Sequence, residues 1–395
     1  MAPDPLDGAD APDSRARIAV AALFFTNGAL FANLLPRYPE IKADLAMSNA
    51  GYGGAIASFS AGALLAGLSA AALIRRFDSA RVALATTVAL AVFIVCAALA
   101  PAPLLFAAAL FIAGAADAIT DVAQNVNGLR LQRSYGRSII NSLHAVWAMG
   151  AILGGLMGAA AIALHVPRAV HLGVAAAVFC GVVAVAYPHL LHGPDHDDHP
   201  AARHPAGVGP GPLVYLSLLA LVGIAIAGAT VEDAGSSWAT LYLRDSLGAP
   251  GPLAVLGYVA LVGFMFVGRL AGDRLVDRFG ERAVARTGGF ITVAGMGAAL
   301  AMPSVPGTIA GFAAAGLGVA TAVPAAMRAA DELPGLRAGT GLTALTWLMR
   351  LGFLGAPLIV GVVADATSLR VGLLSVPVAG LALLALAGVL ATRRQ

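Results

Sequence analysis

Long apolar runs alternate with short polar or proline-bearing breaks from one end of the chain to the other. Each run has about the 20 residues that a helix needs to cross the hydrocarbon of a bilayer. Twelve windows meet this length, at 18–35, 51–74, 82–100, 103–128, 138–164, 169–187, 213–238, 252–275, 283–302, 306–327, 339–364 and 371–391. Each predicts a spanning helix, because a segment in lipid must satisfy its backbone hydrogen bonds internally. The breaks include PRYPEIKADLAMSN after the first window and APAP after the third. The longest, 188–212, separates six windows from six. The predicted organisation is a disordered cytoplasmic tail (1–17), a six-helix half (18–187), a His/Pro/Gly-rich cytoplasmic linker (188–212) and a second six-helix half (213–395). The halves echo each other weakly. Arg76-Phe77 and Val82-Ala83 recur as Arg278-Phe279 and Val284-Ala285, and Gly150 corresponds to Gly352 in the same register. A parallel repeat of this kind is a feature of transporter folds built from two halves.

Composition agrees with lipid as the solvent. The 395 residues are 59% hydrophobic and 11% charged, too few polar groups to cover a soluble domain, which carries about 25% charged residues. Abundant Gly and Ala suit close helix approach in a bilayer. A formal net charge of +3 is no nucleic-acid signal, but its distribution is informative. With the N-terminus inside, the inner segments hold Arg15, Arg17, Arg75, Arg76, Arg81, Arg130, Arg133, Arg137, Arg203, Arg269, Arg274, Arg278, Arg282, Arg286, Arg328, Arg337, Arg393 and Arg394, and the outer ones only Arg37, Lys42, Arg168, Arg244 and Arg370. Positive residues stay inside, so both termini are expected in the cytoplasm. The acidic, proline-rich start lacks the basic region and short apolar core of a signal peptide. Cys96 and Cys180 each sit within an apolar run and are expected to be buried free thiols.

The break after the eighth window reads GDRLVDRFGERAVAR. It resembles the signature loop of the major facilitator superfamily, which Asp277, Arg278, Gly280 and Arg282 match. The first-half copy, LIRRFDSARVA, departs from it: Arg76 is kept, Arg75 stands where the acidic residue belongs, and Asp78 replaces the glycine. A carboxylate near helix ends can pair with arginines in one conformation and release them in another, a cytoplasmic latch; arginines that only set topology are the alternative. Four further stretches, LLPRYPEIKADLAMS, DVAQNVNG, NSLHAVWAMG and WATLYLRDSLGA, are together similar to a fucose-permease-like bacterial inner-membrane branch. The resemblance implies an all-α major facilitator fold of twelve helices, with halves related by a pseudo-two-fold axis. It also implies a monomeric, proton-coupled carrier of small solutes in the bacterial inner membrane. Asp233 and Ser237, beside Glu232 and Trp238, and Arg350 depart from the branch pattern, so fucose is not carried over as substrate.

Ionisable groups at membrane depth are costly and face a cavity or a partner. Asp117, Asp121 and Asn125 lie four apart on one helical face with Gln124 beside them; the resemblance puts that helix at the central cavity. His144, near the cytoplasmic end of the fifth window, lies at a depth where it could meet Asp121. These three ionisable groups are the candidate proton carriers, and a structural hydrogen bond is the alternative for each. Trp147, one turn on, could stack on a solute or simply pack. Glu232 and Asp233 are neighbours about 100° apart, so one is expected at the cavity and the other at a partner or outer water. Arg350 falls near the midplane and needs a counter-charge or an anionic solute. Asn125, Gln124, Trp238, Trp347, Asn27 and Asn33 complete the candidate solute site. Gly150, Gly154 and Gly158 form a close-packing stripe, and Pro324 and Pro357 permit bending.

His189, His192, His196, His199 and His204 could bind Zn²⁺, but no second fixed pair recurs, and a solvated linker is the expectation. No phosphate-cradling loop and no nucleophile with a base stand out, which argues against ATP as the energy source and against an enzyme, and no cofactor is expected. The sequence therefore predicts a proton-coupled carrier of a small polar solute, sugar-like or an organic anion, working by alternating access. Its alternatives are a proton-driven exporter of drugs or metabolites and, more distantly, a non-transporting sensor or scaffold. Protons, a small molecule and the lipid bilayer are the expected partners.

Overall fold

The computed structural model describes residues 11–135, 139–193, 211–336 and 339–390. His196, His199 and His204 of the linker lie outside the described residues, as do Arg137, Arg203 and Arg337. Twelve helices are long and apolar enough to cross a membrane: α1 (Ser14–Asp44), α2 (Asn49–Phe77), α3 (Ser79–Ala98), α4 (Pro103–Ser134), α5 (Ser142–Ala163), α6 (Arg168–His189), α7 (Pro212–Ser246), α8 (Gly251–Phe279), α9 (Glu281–Ala301), α10 (Val305–Asp331), α11 (Thr340–Ala366) and α12 (Leu369–Val389). No strand occurs among the described residues.

All twelve windows became helices, and the differences lie at their ends. Helical structure already begins at Ala11, inside the stretch expected as a tail. The polar break after the first window is not a loop: a 3-10 turn, Leu35–Arg37, leads into a helical turn, Tyr38–Asp44. Arg37 is buried there. It donates to the Val166 carbonyl at 2.7 Å and pairs with Glu40 at 3.0 Å, which keeps this polar stretch folded. The stretch after the seventh window is likewise helical to Ser246, but loosened into π turns at Ala234–Trp238 and Tyr242–Ser246. α10 breaks between Val319 and Ala322. Pro324 lacks an N–H, and its ring would collide with the carbonyl four residues back, at Ala320. Pro357, by contrast, sits within a continuous α11.

Asp78 and Gly280 occupy equivalent hinges of the two halves. Asp78 has φ 70° and ψ 158°, and Gly280 φ 82° and ψ 152°. An L side chain rarely adopts that conformation. Asp78 offsets the strain by capping α3, its carboxylate accepting the Arg81 N–H at 2.8 Å.

The glycine stripe packs within one half. Gly150 and Gly154 lie against the backbone carbonyls of Phe25 and Ala29, and Gly158 against Pro36, so the stripe joins α5 to α1 within one half. Both cysteines are free, but Cys96 is exposed at the protein surface rather than buried. An apolar run in lipid need not be buried in protein.

The halves meet along α2 with α11 and α5 with α8. Close contacts between them cluster at the predicted outer end. Gly53 lies against the Pro357 carbonyl, Gly361 against Asn49, and Gly155 against Tyr258. Tyr52 on α2 donates its hydroxyl to the Ser237 carbonyl of α7 at 2.7 Å.

Candidate functional site

A cavity of about 260 Å³ lies between the halves, inward of this contact. From the first half it is bordered by Asn27, Phe31, Phe59, Asp117 and Trp147, and from the second by Glu232, Asp233, Ser236, Tyr258, Arg350 and Phe353.

α1, α4 and α5 converge on a hydrogen-bonded chain. Trp147 Nε1 donates to Asn27 Oδ1 at 2.8 Å, and Asn27 Nδ2 donates to Asp117 Oδ1, also at 2.8 Å. The Asn27 amide has one acceptor and two donor hydrogens, so this chain fixes both its orientation and the ring of Trp147. Asp121, one turn along α4, does not border the cavity. Asn125 and Gln124 donate to its carboxylate at 3.1 and 3.3 Å. Both amides, read in the sequence as solute contacts, are thus spent on holding Asp121. His144 packs edge-on against Phe24, with centroids 5.3 Å apart. It bears electrostatically on Asp121, and no hydrogen bond joins the two among the described residues.

Arg350 reaches from α11 across to α2, where Nη1 donates to the Ala63 carbonyl at 3.3 Å. Its charge bears on both Asp117 and Asp121. Glu232 and Asp233 both border the cavity, although they are neighbours 100° apart; the cavity wraps around α7 where the helix widens into a π turn. Asp233 is buried, with Oδ1 accepting from Ser237 Oγ at 3.0 Å and Oδ2 without a donor.

Three expected solute contacts lie elsewhere. Trp238 is fully buried in the seal, edge-on to Tyr52 at 5.0 Å, and Tyr38 packs edge-on to Tyr52 in turn. Asn33 is bonded to the Ala29 carbonyl and to His171 Nε2. Trp347 is exposed and does not border the cavity. Sequence reasoning passed over Tyr258 and Ser236, which border it, and Arg269, which bears electrostatically on Glu232 and His144. By sequence Arg269 falls among the inner-segment arginines; its place one turn from Met265, which borders the cavity on α8, is the available signal.

At the opposite end, Asp277 and Arg278 are exposed. Arg278 lies over Phe279 and Arg76 over Phe77, the same cation–π contact in each half. Asp277 makes no ion pair among the described residues. Arg282 donates to the Leu390 carbonyl at 3.1 Å, tying α9 to α12.

Twelve helices in two halves around a central polar cavity is the architecture of a membrane carrier, and a family model decides which kind: that described as Major Facilitator Superfamily matches residues 20–275. The chain belongs to the Major Facilitator Superfamily. This transporter is 32% identical over 370 residues to an uncharacterized transporter, y4wD, of Sinorhizobium fredii, covering 92% of this chain and 96% of the relative. It is 31% identical over 370 residues to the membrane protein MosC of Rhizobium meliloti, covering 92% and 87% respectively. Among solved structures, the transporter's fold is similar to that of a bacterial homolog of the human lysosomal transporter Spinster, in an inward-facing and occupied conformation. That match has TM-score 0.76 and 14% identity, and covers 97% of each chain. It is also similar to a D-xylose-proton symporter, with TM-score 0.68 and 14% identity, covering 95% of this chain and 96% of that one. The family is one of non-enzymatic membrane transporters, and that much holds for this chain.

Proposed function

We propose that this transporter is a proton-coupled secondary carrier that moves a small polar solute by alternating access. The observation that carries the reading is the meeting of charges from the two halves at one cavity. Arg350 from α11 crosses to α2 and bears on Asp117 and Asp121 of α4. A proton arriving at either carboxylate changes the charge that bears on Arg350, and Arg350 bridges the halves that must move. Asp121 and Asp117, with His144 nearby, carry the proton; Asn27, Trp147, Glu232, Asp233 and Arg350 hold the solute.

The seal formed by Tyr38, Tyr52 and Trp238 makes this an inward-facing state if the arginine-poor ends face outward. Both termini are then cytoplasmic, in a bacterial inner membrane. Unpaired Asp277 is consistent with a cytoplasmic latch that closes only when the inner side does. The fucose-permease-like affiliation rests on the four sequence stretches and belongs to this proposal, as does a monomeric carrier. A second reading, a proton-driven exporter, draws support from the excess of carboxylates at the cavity.

The test is flux in proteoliposomes loaded with a pH-sensitive dye and offered sugars, organic acids, amino acids and cationic drugs. Solute-dependent proton movement that disappears in Asp121→Asn, with the variant still folded in detergent, is the expected result. Full proton coupling in that variant removes Asp121 from the mechanism.

A further inference from the structure

The carrier reading leaves open what the cavity accepts, and its charges narrow the choice. Three carboxylates border it, Asp117, Glu232 and Asp233, against one guanidinium, Arg350. Just beyond the wall, Asp121 and Arg269 add one charge of each sign, so with the proton carriers unloaded the excess of two carboxylates stands. From this imbalance, together with the positions of the partners, we infer that the carried solute is a small organic ammonium compound, neither a neutral sugar nor an organic anion. The inference rests on the proposed carrier function.

Arg350 is the natural hook for an anion, but its charge already bears on two carboxylates, and Nη1 donates to the Ala63 carbonyl. The opposite deficit lies on α7. Asp233 is 7% exposed, borders the cavity and has an oxygen, Oδ2, with no donor. The Glu232 carboxylate beside it accepts no hydrogen bond and makes no ion pair among the described residues; Arg269 bears on it electrostatically without touching it. A buried carboxylate oxygen without a donor is costly. One proton neutralises one member of the pair and leaves the other bare. An ammonium group supplies charge and up to three donors at once.

The walls suit the same ligand. Trp147 and Tyr258 border the cavity from opposite halves, and aromatic faces attract cations that have shed water. Trp147 is held in orientation through Asn27, so one such face is preorganised. Ser236 offers a hydroxyl to the remainder of the solute.

The test is binding to the full-length protein in detergent, followed by tryptophan fluorescence and by thermal melting. Ethanolamine and glucosamine are the ammonium probes with N–H groups to donate, and choline, which has none, is the ammonium probe of charge alone. The uncharged carbon isostere of choline, glucose, glucuronate and sodium chloride at matched ionic strength are the controls. At least one ammonium probe is expected to bind at millimolar concentration or below, with the controls silent. Glu232→Gln and Asp233→Asn should each weaken it by about tenfold or more, the scale of truncating one partner of a buried charge pair. The wild-type comparison of glucosamine with glucose decides the matter even if a variant fails to fold. Binding confined to neutral or anionic probes, an equal response to sodium, or silence toward all three ammonium probes overturns the inference. Proton-coupled flux of a neutral sugar would sink this inference while leaving the carrier reading intact. Ammonium binding without proton movement would do the reverse to the coupling.

Discussion

Asp365, near the end of α11, accepts the backbone N–H groups of Asn49 and Ala50 at 2.8 and 2.7 Å. These are the first residues of α2, so a carboxylate of one half caps a helix of the other. The N-terminal N–H groups of a helix have no partner within it, and the helix dipole favours an anion there. The cap is therefore a clasp between halves at the predicted outer end. It cannot survive separation of α2 from α11.

Removing that carboxylate should bias the transporter toward outward opening. In Asp365→Ala the ratio of closed to open outer side should fall about fivefold, the equivalent of one lost helix cap. Spin-label distances between the outer ends of α2 and α11 measure it; an unchanged distribution would mean that the clasp has no role in gating.

Two glycines separate packing within a half from packing between halves. Gly53 lies against the Pro357 carbonyl across the seal, and Gly150 against the Phe25 carbonyl within the first half. Gly53→Ala should leave the protein folded but shift it toward the outward-open state, since the two halves can move apart. Gly150→Ala has no such escape. It should lower the melting temperature and the yield of folded protein, by an amount typical of overpacking, about 1–3 kcal/mol. Melting curves and the same distance measurement, made on both variants, check the contrast.

Tyr52→Phe removes the hydroxyl donated to the Ser237 carbonyl and leaves ring packing with Trp238 intact. A modest stability loss of about 0.5–1.5 kcal/mol is expected, together with greater access of outside reagents to a cysteine placed at Ser237. No gain in access would mean that aromatic packing alone makes the seal.

Asn27→Leu breaks the chain from Trp147 to Asp117. The Trp147 indole loses its acceptor at 2.8 Å and Asp117 its donor. Solute flux should fall at least about tenfold while the melting temperature changes little, because the chain lines a cavity rather than the core. The environment of Trp147 should shift its emission. Wild-type flux in this variant would show that the chain is a packing device.

Much of this architecture follows from the chain's own pattern. Apolar runs of spanning length, in lipid, can only become helices, so twelve windows and their division into six and six were legible without coordinates. Ionisable groups inside such runs announced themselves through their cost, and that is why Asp117, Glu232, Asp233 and Arg350 could be singled out. What a helical run does not contain is its neighbour. Whether Asn125 meets a solute or holds Asp121, and whether Trp238 borders the cavity or fills the seal behind Tyr52, depends on which helices stand opposite and at what register. Helix ends were misread where the partner sits elsewhere in the chain: Arg37 folds the turn after the first window by bonding Val166, more than a hundred residues away. The clasp at Asp365 was invisible for the same reason, since its partners are backbone N–H groups that every residue but proline carries. The sequence by itself determined the number of spans, the two halves and the buried charges, because those follow from the solvation of single segments. The cavity, its seal and the partner of each charge were decided by tertiary structure, because they are distances between segments that no local property encodes.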